Sequence, residues 1–237
     1  MKEKFILTFD LEFWHNSEFL KKYLPENNNA GDYILESAEP ILELLKKHGH
    51  LATFFVLGQI AEKYPELIKK ISDSGHEIAS HGYSHRTVGA MTPEDFEEEI
   101  VKTNNLIKRI VGQSPRWYRS PAFSLKNHNK PALVILEKHG LKHVTRNPAF
   151  AGGVYFRVLP LPLFWLYVRI ARGKKNPVLY FHLHEFFETA PKINSAPWLK
   201  KKIKYIGTKN AWKKFEKLME KFSFISIEQY LNENSSD

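Results

Sequence analysis

The stretch Phe5-Ile-Leu-Thr-Phe-Asp-Leu-Glu-Phe13 decides how this chain is read. Its apolar run predicts a buried strand, and at the end of the run stand two carboxylates, Asp10 and Glu12. A strand interior has no use for bare negative charge, because burying an unpaired carboxylate costs about several kcal/mol. Positive charge is therefore expected beside them. Residues two apart on an extended strand point to the same side, so Asp10 and Glu12 can serve one cation if they sit at or just past the strand end.

A second half for such a site is offered by Ser80-His-Gly-Tyr-Ser-His85, which follows another short strand signal, Gly75-His-Glu-Ile-Ala79. His81 and His85 are four apart, and imidazoles at that spacing on one helical turn reach the same ion. With 11 histidines in the chain, a chance surface pair is the plain alternative. One carboxylate plus two histidines, with positions left for water and substrate, is nevertheless a catalytic zinc arrangement.

At 237 residues the chain suffices for one well-buried core and fits a single α/β domain. No stretch reaches the roughly eighteen uncharged apolar residues of a membrane span, since the longest candidate, 158–170, is interrupted by Pro160, Pro162 and Arg169. Met-Lys-Glu-Lys leads directly into the Asp10 strand, so no signal peptide is expected and the expected location is cytoplasmic. The absence of cysteine excludes disulfides, thiolate zinc sites and thiol nucleophiles. The net charge of +9 is uneven, with nine lysines between Lys200 and Lys221. A solvated helix face explains them most simply, and an anionic membrane surface or anionic substrate is the alternative; nucleic acid is not expected, because no motif accompanies the charge.

Strand and helix signals alternate. Strands are predicted at 5–9, 51–57, 76–79, 117–119, 178–182 and 224–226, and helices at 36–48, 61–74, from the Thr92 cap to 111, 129–139, 162–172 and 210–222. Such alternation favours a parallel sheet or barrel with helices outside, where chemistry collects at the C-terminal strand ends. Asp10, Glu12, His81, Arg119 and His182 all fall at or just after predicted strands.

Together these segments resemble the polysaccharide deacetylases of the NodB-homology type, carbohydrate esterase family 4. Thr8-Phe-Asp-Leu-Glu12 resembles the family's first motif, Ala52-Thr-Phe-Phe-Val-Leu-Gly58 a structural strand and His81-Gly-Tyr-Ser-His85 the metal-binding second motif. Tyr118-Arg-Ser-Pro-Ala-Phe-Ser124 is similar to the third motif and Leu179-Tyr-Phe-His182 to the last. The resemblance covers most of the chain. It implies an α/β fold, a distorted (β/α) barrel forming one catalytic domain over 1–237 with the last few residues disordered, and hydrolysis of an N-acetyl or other acyl group from an amino sugar. Most members carry Asp-Asp-Gly where this chain has Asp10-Leu11-Glu12, a pattern that resembles the branch of peptidoglycan deacetylase-like and exosortase-associated proteins. The segment 152–160 is also similar to that branch, and 182–186 matches its His-Pro-Trp-Glu-like run. The usual fourth motif is not recognisable, which leaves the partner of the acid histidine open.

The resemblance assigns Glu12, His81 and His85 to a divalent metal, with zinc the best match to the donors and cobalt, nickel or iron also fitting. It makes Asp10 the base that takes a proton from water, Arg119 its orienting partner and His182 the acid that protonates the departing amine. Spacing alone leaves His184 in competition with His182, because both fall on the same side of an extended strand. The main-chain N–H of Ala122, after Pro121, is the candidate oxyanion donor. Trp117, Tyr118, Phe123 and Trp198 offer sugar-stacking faces, with core packing as the plainer role. The expected partner is an amino-sugar substrate, lipid-linked if residues 158–172 lie on the inner face of an anionic membrane, with a barrel-covering helix of basic outer face as the plainer reading of that stretch. Deacylation of a non-carbohydrate amide and non-catalytic glycan or membrane binding are the competing functions.

Overall fold

A computed structural model of the chain describes residues 4–16, 23–24, 33–144, 151–172, 178–186 and 195–234. The C-terminal residues expected to be disordered, 235–237, lie outside them. In chain order the described elements are β1 (Lys4–Leu11), α1 (Ile34–His48), β2 (Thr53–Val56), α2 (Gly58–Lys63), α3 (Pro65–Asp73), β3 (Glu77–Ser80), α4 (Pro93–Val111), β4 (Trp117–Tyr118) and α5 (Lys130–Lys138). They continue with β5 (Lys142–His143), β6 (Ala151–Gly152), α6 (Gly153–Val158), α7 (Leu161–Arg172), β7 (Val178–His182), α8 (Trp198–Tyr205), α9 (Thr208–Lys221), β8 (Ser223–Ile225) and α10 (Ile227–Asn234). The chain divides into two compact units, one of Met1–Phe9, Phe13–Ala52 and Pro148–Asp237, the other of Asp10–Glu12 and Thr53–Asn147.

In the second unit β2, β3, β4 and β5 pair in parallel, in sequence order. β2, β3 and β4 are each followed in the chain by helices, of which α4 and α5 begin at capping side chains. Thr92 caps α4 by accepting the Asp95 N–H at 3.1 Å, and Asn129 caps α5 by accepting that of Ala132 at 3.3 Å. Phe96 and Ile100 of α4 pack with Tyr118, Ile135 and Leu136 in a dry core. The expected continuous helix 61–74 is instead two helices, α2 and α3. Pro65 disfavours helical geometry in the residue before it, and Tyr64 accordingly sits at φ −129°, ψ 55°.

The first unit is built on the first six residues of β1. Phe5 pairs in parallel with Phe224 of β8, and the Thr8 hydroxyl donates to the Leu179 carbonyl of β7 at 3.1 Å. β6 continues this ladder in parallel through Gly152 and Tyr180. The core is aromatic: Phe181 lies 5.1 Å from Phe156 and 5.7 Å from Phe215, and Phe215 lies 4.4 Å from Phe186. The lysine row is not wholly a solvated face. Lys214 donates to the carbonyls of Phe156, Arg157 and Leu159 at 3.3, 2.7 and 3.0 Å, so it caps the C-terminal end of α6, where carbonyls lack helical partners.

Candidate metal and acid–base site

Four segments of the second unit bring their ends together through backbone bonds. Leu57 donates to Leu11 at 3.3 Å, His81 to Val56 at 2.9 Å and Arg119 to Ser80 at 3.0 Å. Glu12, His81 and Arg119 thereby emerge at the same end, just past β1, β3 and β4, with the end of β2 between the first two. Glu12 Oε2 lies 2.6 Å from His85 Nε2 and 3.7 Å from His81 Nε2. One ligand atom from each of these three residues lies within 4.8 Å of the others, and all three residues are buried.

The two histidines do not share a helical turn, as their spacing suggested. They flank a loop that Gly82 reverses at φ 79°, with His85 itself left-handed at φ 62°. A β-carbon at Gly58 would meet the Tyr83 ring at 2.4 Å, and the Gly58 N–H donates to the Gly82 carbonyl at 2.9 Å, so the loop lies directly on the start of α2. A residue that sequence reasoning missed holds it there. Glu99 Oε2 accepts the Tyr83 N–H at 3.1 Å and the Ser84 N–H at 3.4 Å, and Glu99 Oε1 accepts the Ser84 hydroxyl. Its signal was its phase: Glu99 lies three residues after Phe96 and four before Thr103, both buried on the inner face of α4.

The cluster fits a divalent cation on the chemistry of its donors. His81 Nδ1 lies 2.8 Å from the Arg119 carbonyl. A carbonyl only accepts, so Nδ1 carries the proton and Nε2 turns its lone pair toward Glu12. Asp10 is engaged separately. Arg119, wholly buried, donates to Asp10 Oδ1 at 2.5 Å while its guanidinium carbon stands 3.9 Å from the centroid of the Phe55 ring. Removing one partner of such a buried pair costs about 3–5 kcal/mol. Arg119 therefore joins the Asp10 carboxylate and the His81 ring through two different groups.

Pro121–Phe123 follow as a single 3-10 turn in which Ala122 and Phe123 both adopt φ 51°. Left-handed backbone at two consecutive non-glycine residues costs about 1–3 kcal/mol each and marks a turn held in place by its surroundings. Of the aromatic platforms considered from sequence, Tyr118 is core, buried against Phe96 at 5.8 Å, while Trp198 is 69% exposed.

His182 and His184 belong to the other unit, where their surroundings separate them. His182 Nδ1 lies 3.4 Å from Glu185 Oε1, and its N–H donates to Glu185 Oε2 at 3.4 Å. Burial pushes the Glu185 carboxyl up, but the His182 hydrogen bond and the charges of His182, Arg157 and Lys204 outweigh it and hold the carboxyl below its usual range. His184 Nε2 accepts from the Lys204 ammonium at 2.8 Å. A carboxylate therefore faces the His182 ring and an ammonium the His184 ring.

Comparison with known proteins agrees with these motifs. The polysaccharide deacetylase family matches residues 29–144, and the domain of unknown function DUF3473 matches residues 113–232, just over half of the chain. A peptidoglycan-N-acetylglucosamine deacetylase of Bacillus cereus is 39% identical over 87 residues, 37% of this chain and 32% of that protein. A peptidoglycan deacetylase of Helicobacter pylori is 36% identical over 120 residues, 50% of this chain and 40% of that protein. The matched region thus spans about a third to two fifths of these relatives' length. Among solved structures, a peptidoglycan deacetylase of Bacillus subtilis superposes with a TM-score of 0.62 at 16% identity, covering 99% of this chain and 93% of that one. A CE4 family pseudoenzyme of Bacillus anthracis superposes with a TM-score of 0.61 at 19% identity, covering 96% and 65%. The fold is therefore the distorted (β/α) barrel of the NodB-homology type, and because a pseudoenzyme shares it, activity must be argued from side chains.

Proposed function

The chain belongs to the DUF3473 family, and because the polysaccharide deacetylase family also matches its residues 29–144, we propose that it is a metal-dependent hydrolase that removes an N-acetyl, or other acyl, group from an amino sugar. The observation that carries this reading is the buried Glu12, His81 and His85 cluster with Asp10, two residues from Glu12, held by Arg119. A binding module has no need of that set. The substrate is an amino sugar in a polysaccharide, glycolipid or activated precursor, met in the cytoplasm or at the inner face of the membrane.

Glu12, His81 and His85 would hold the ion, with zinc the simplest choice for one carboxylate and two imidazoles. Bound there, a divalent metal supplies Lewis acidity toward water and an amide carbonyl. Asp10 accepts a proton from the attacking water, and Arg119 fixes the carboxylate so that a lone pair is aimed. The Ala122 N–H would donate to the oxygen that gains charge as the carbonyl is attacked. His182 gives a proton to the amine nitrogen as the C–N bond breaks, leaving acetate and a free amino sugar. Glu185 holds the ring for that transfer.

The test is acetate release from N-acetylated chitooligosaccharides, peptidoglycan fragments and UDP-N-acetylglucosamine by zinc-loaded protein. Release that disappears in Asp10→Asn supports the reading. A protein that binds one metal per chain and releases acetate from none of these sugars would overturn it.

A further inference from the structure

Apart from Leu35, Val134 and Leu231, every large apolar side chain that stands exposed among the described residues falls between Val154 and Ile206. Leu163, Leu166 and Ile170 of α7 are 53, 54 and 58% exposed, while Phe164 and Val168 of the same helix are fully buried. A helix apolar on its outer as well as its inner side is not a solvated covering helix. Tyr155 of α6, 62% exposed, stacks on Tyr167 of α7 at 6.3 Å, and α8 adds Trp198 and Leu199 at 69 and 53%. α8 adjoins α6, because the Arg157 guanidinium donates to the Lys204 carbonyl at 2.5 Å. The three helices lie within one compact unit.

The charge of this region is one-sided. Neither residues 153–184 nor 195–215 contain an Asp or Glu, whereas Arg157, Arg169, Lys200, Lys201, Lys202 and Lys204 lie among the apolar residues. Such a surface matches an anionic lipid interface, where apolar and aromatic side chains enter the headgroup boundary and cations meet lipid phosphate. A second copy of this chain is a poor occupant, since it would oppose like charge to like. No described helix is long and apolar enough to cross a membrane, so contact of this kind is lateral. We propose that α6, α7 and α8 form a face that docks on an anionic phospholipid surface. The inference is independent of the deacetylation reading, and its test requires no turnover.

The 237-residue chain would be floated with vesicles of phosphatidylcholine alone and of phosphatidylcholine with phosphatidylglycerol. It should rise with the anionic vesicles only, and raising NaCl from about 0.05 to about 0.5 M should reduce the bound fraction severalfold. Leu166→Asp with Ile170→Asp should weaken binding by about tenfold or more, because apolar area that entered the interface now carries charge. Both side chains are exposed, so the thermal unfolding of that variant should match wild type. Lys200→Gln with Lys201→Gln and Lys202→Gln should weaken anionic binding in the same direction. No flotation of wild type with anionic vesicles at low salt would overturn the proposal. So would undiminished flotation of the α7 variant, or a wild-type dimer that the α7 substitutions dissociate.

Discussion

Replacing Glu99 with alanine tests how the chain presents His85. The substitution removes the carboxylate that accepts the Tyr83 and Ser84 N–H groups at 3.1 and 3.4 Å and the Ser84 hydroxyl. Hydrogen bonds to a charged acceptor are worth about 1.5–3 kcal/mol each, but these are half-buried and one is long, so about 3 kcal/mol for the set is appropriate. That energy orders a loop whose path includes left-handed Gly82 and His85. Without it, metal binding must order the loop, and at about 1.4 kcal/mol per decade the affinity should fall by about a hundredfold. Glu99→Gln keeps one acceptor oxygen and should lose much less. Zinc would be titrated against a competing chromophoric chelator, with circular dichroism confirming the fold of each variant. Wild-type affinity in a folded Glu99→Ala variant would refute the argument.

The two carboxylates should separate cleanly: Asp10→Asn should retain zinc and lose most turnover, and Glu12→Ala should lose zinc, as read by metal analysis and acetate release, with reversed phenotypes exchanging base and ligand. His182→Ala should cut turnover by about a hundredfold or more with metal retained, and His184→Ala much less. Glu185→Gln removes the anion that stabilises the His182 imidazolium, so the alkaline limb of the pH–rate profile should move to lower pH; an unmoved limb would remove Glu185 from the proton transfer. Burial lowers the His76 pKa from 6.5 to about 4, so its neutral form favours the folded state. The unfolded chain binds the extra proton between those values, so this stability is full above about pH 6.5 and is lost as pH falls toward 4, by about 3 kcal/mol at most. In His76→Leu, the difference in urea stability between pH about 7 and about 4.5 should shrink by an amount of that order, and an equal difference would refute it.

The carboxylates at and just past the end of β1 were legible because a buried strand cannot tolerate them alone, and the bonded ends of β1, β2 and β3 explain why Glu12 and His81 meet. The same sequence misled where conformation depends on a single dihedral. His81 and His85 have helical spacing, yet Gly82 turns the chain between them, and Tyr64 breaks a helix whose periodicity ran through it. Glu99 was concealed in the run Glu97-Glu98-Glu99, which reads as solvent-facing until the buried phase of Phe96 and Thr103 is known. What distinguishes His182 from His184 in the structure is their neighbours, Glu185 and Lys204, of which the second lies twenty residues further along the chain from His184. α6, α8, β5 and β6 are too short to show a period of their own.

Arg119 serves Asp10 with its guanidinium and His81 with its main-chain carbonyl, and evolution can alter only the first of these by substitution. Any residue at that position keeps a carbonyl to orient the imidazole. On the proposed function, drift there would silence proton transfer first and spare ion binding. The wiring sets the order in which the two proposed capacities can be lost: a descendant without the guanidinium would keep the carbonyl that orients the imidazole, and with it the donors proposed for metal.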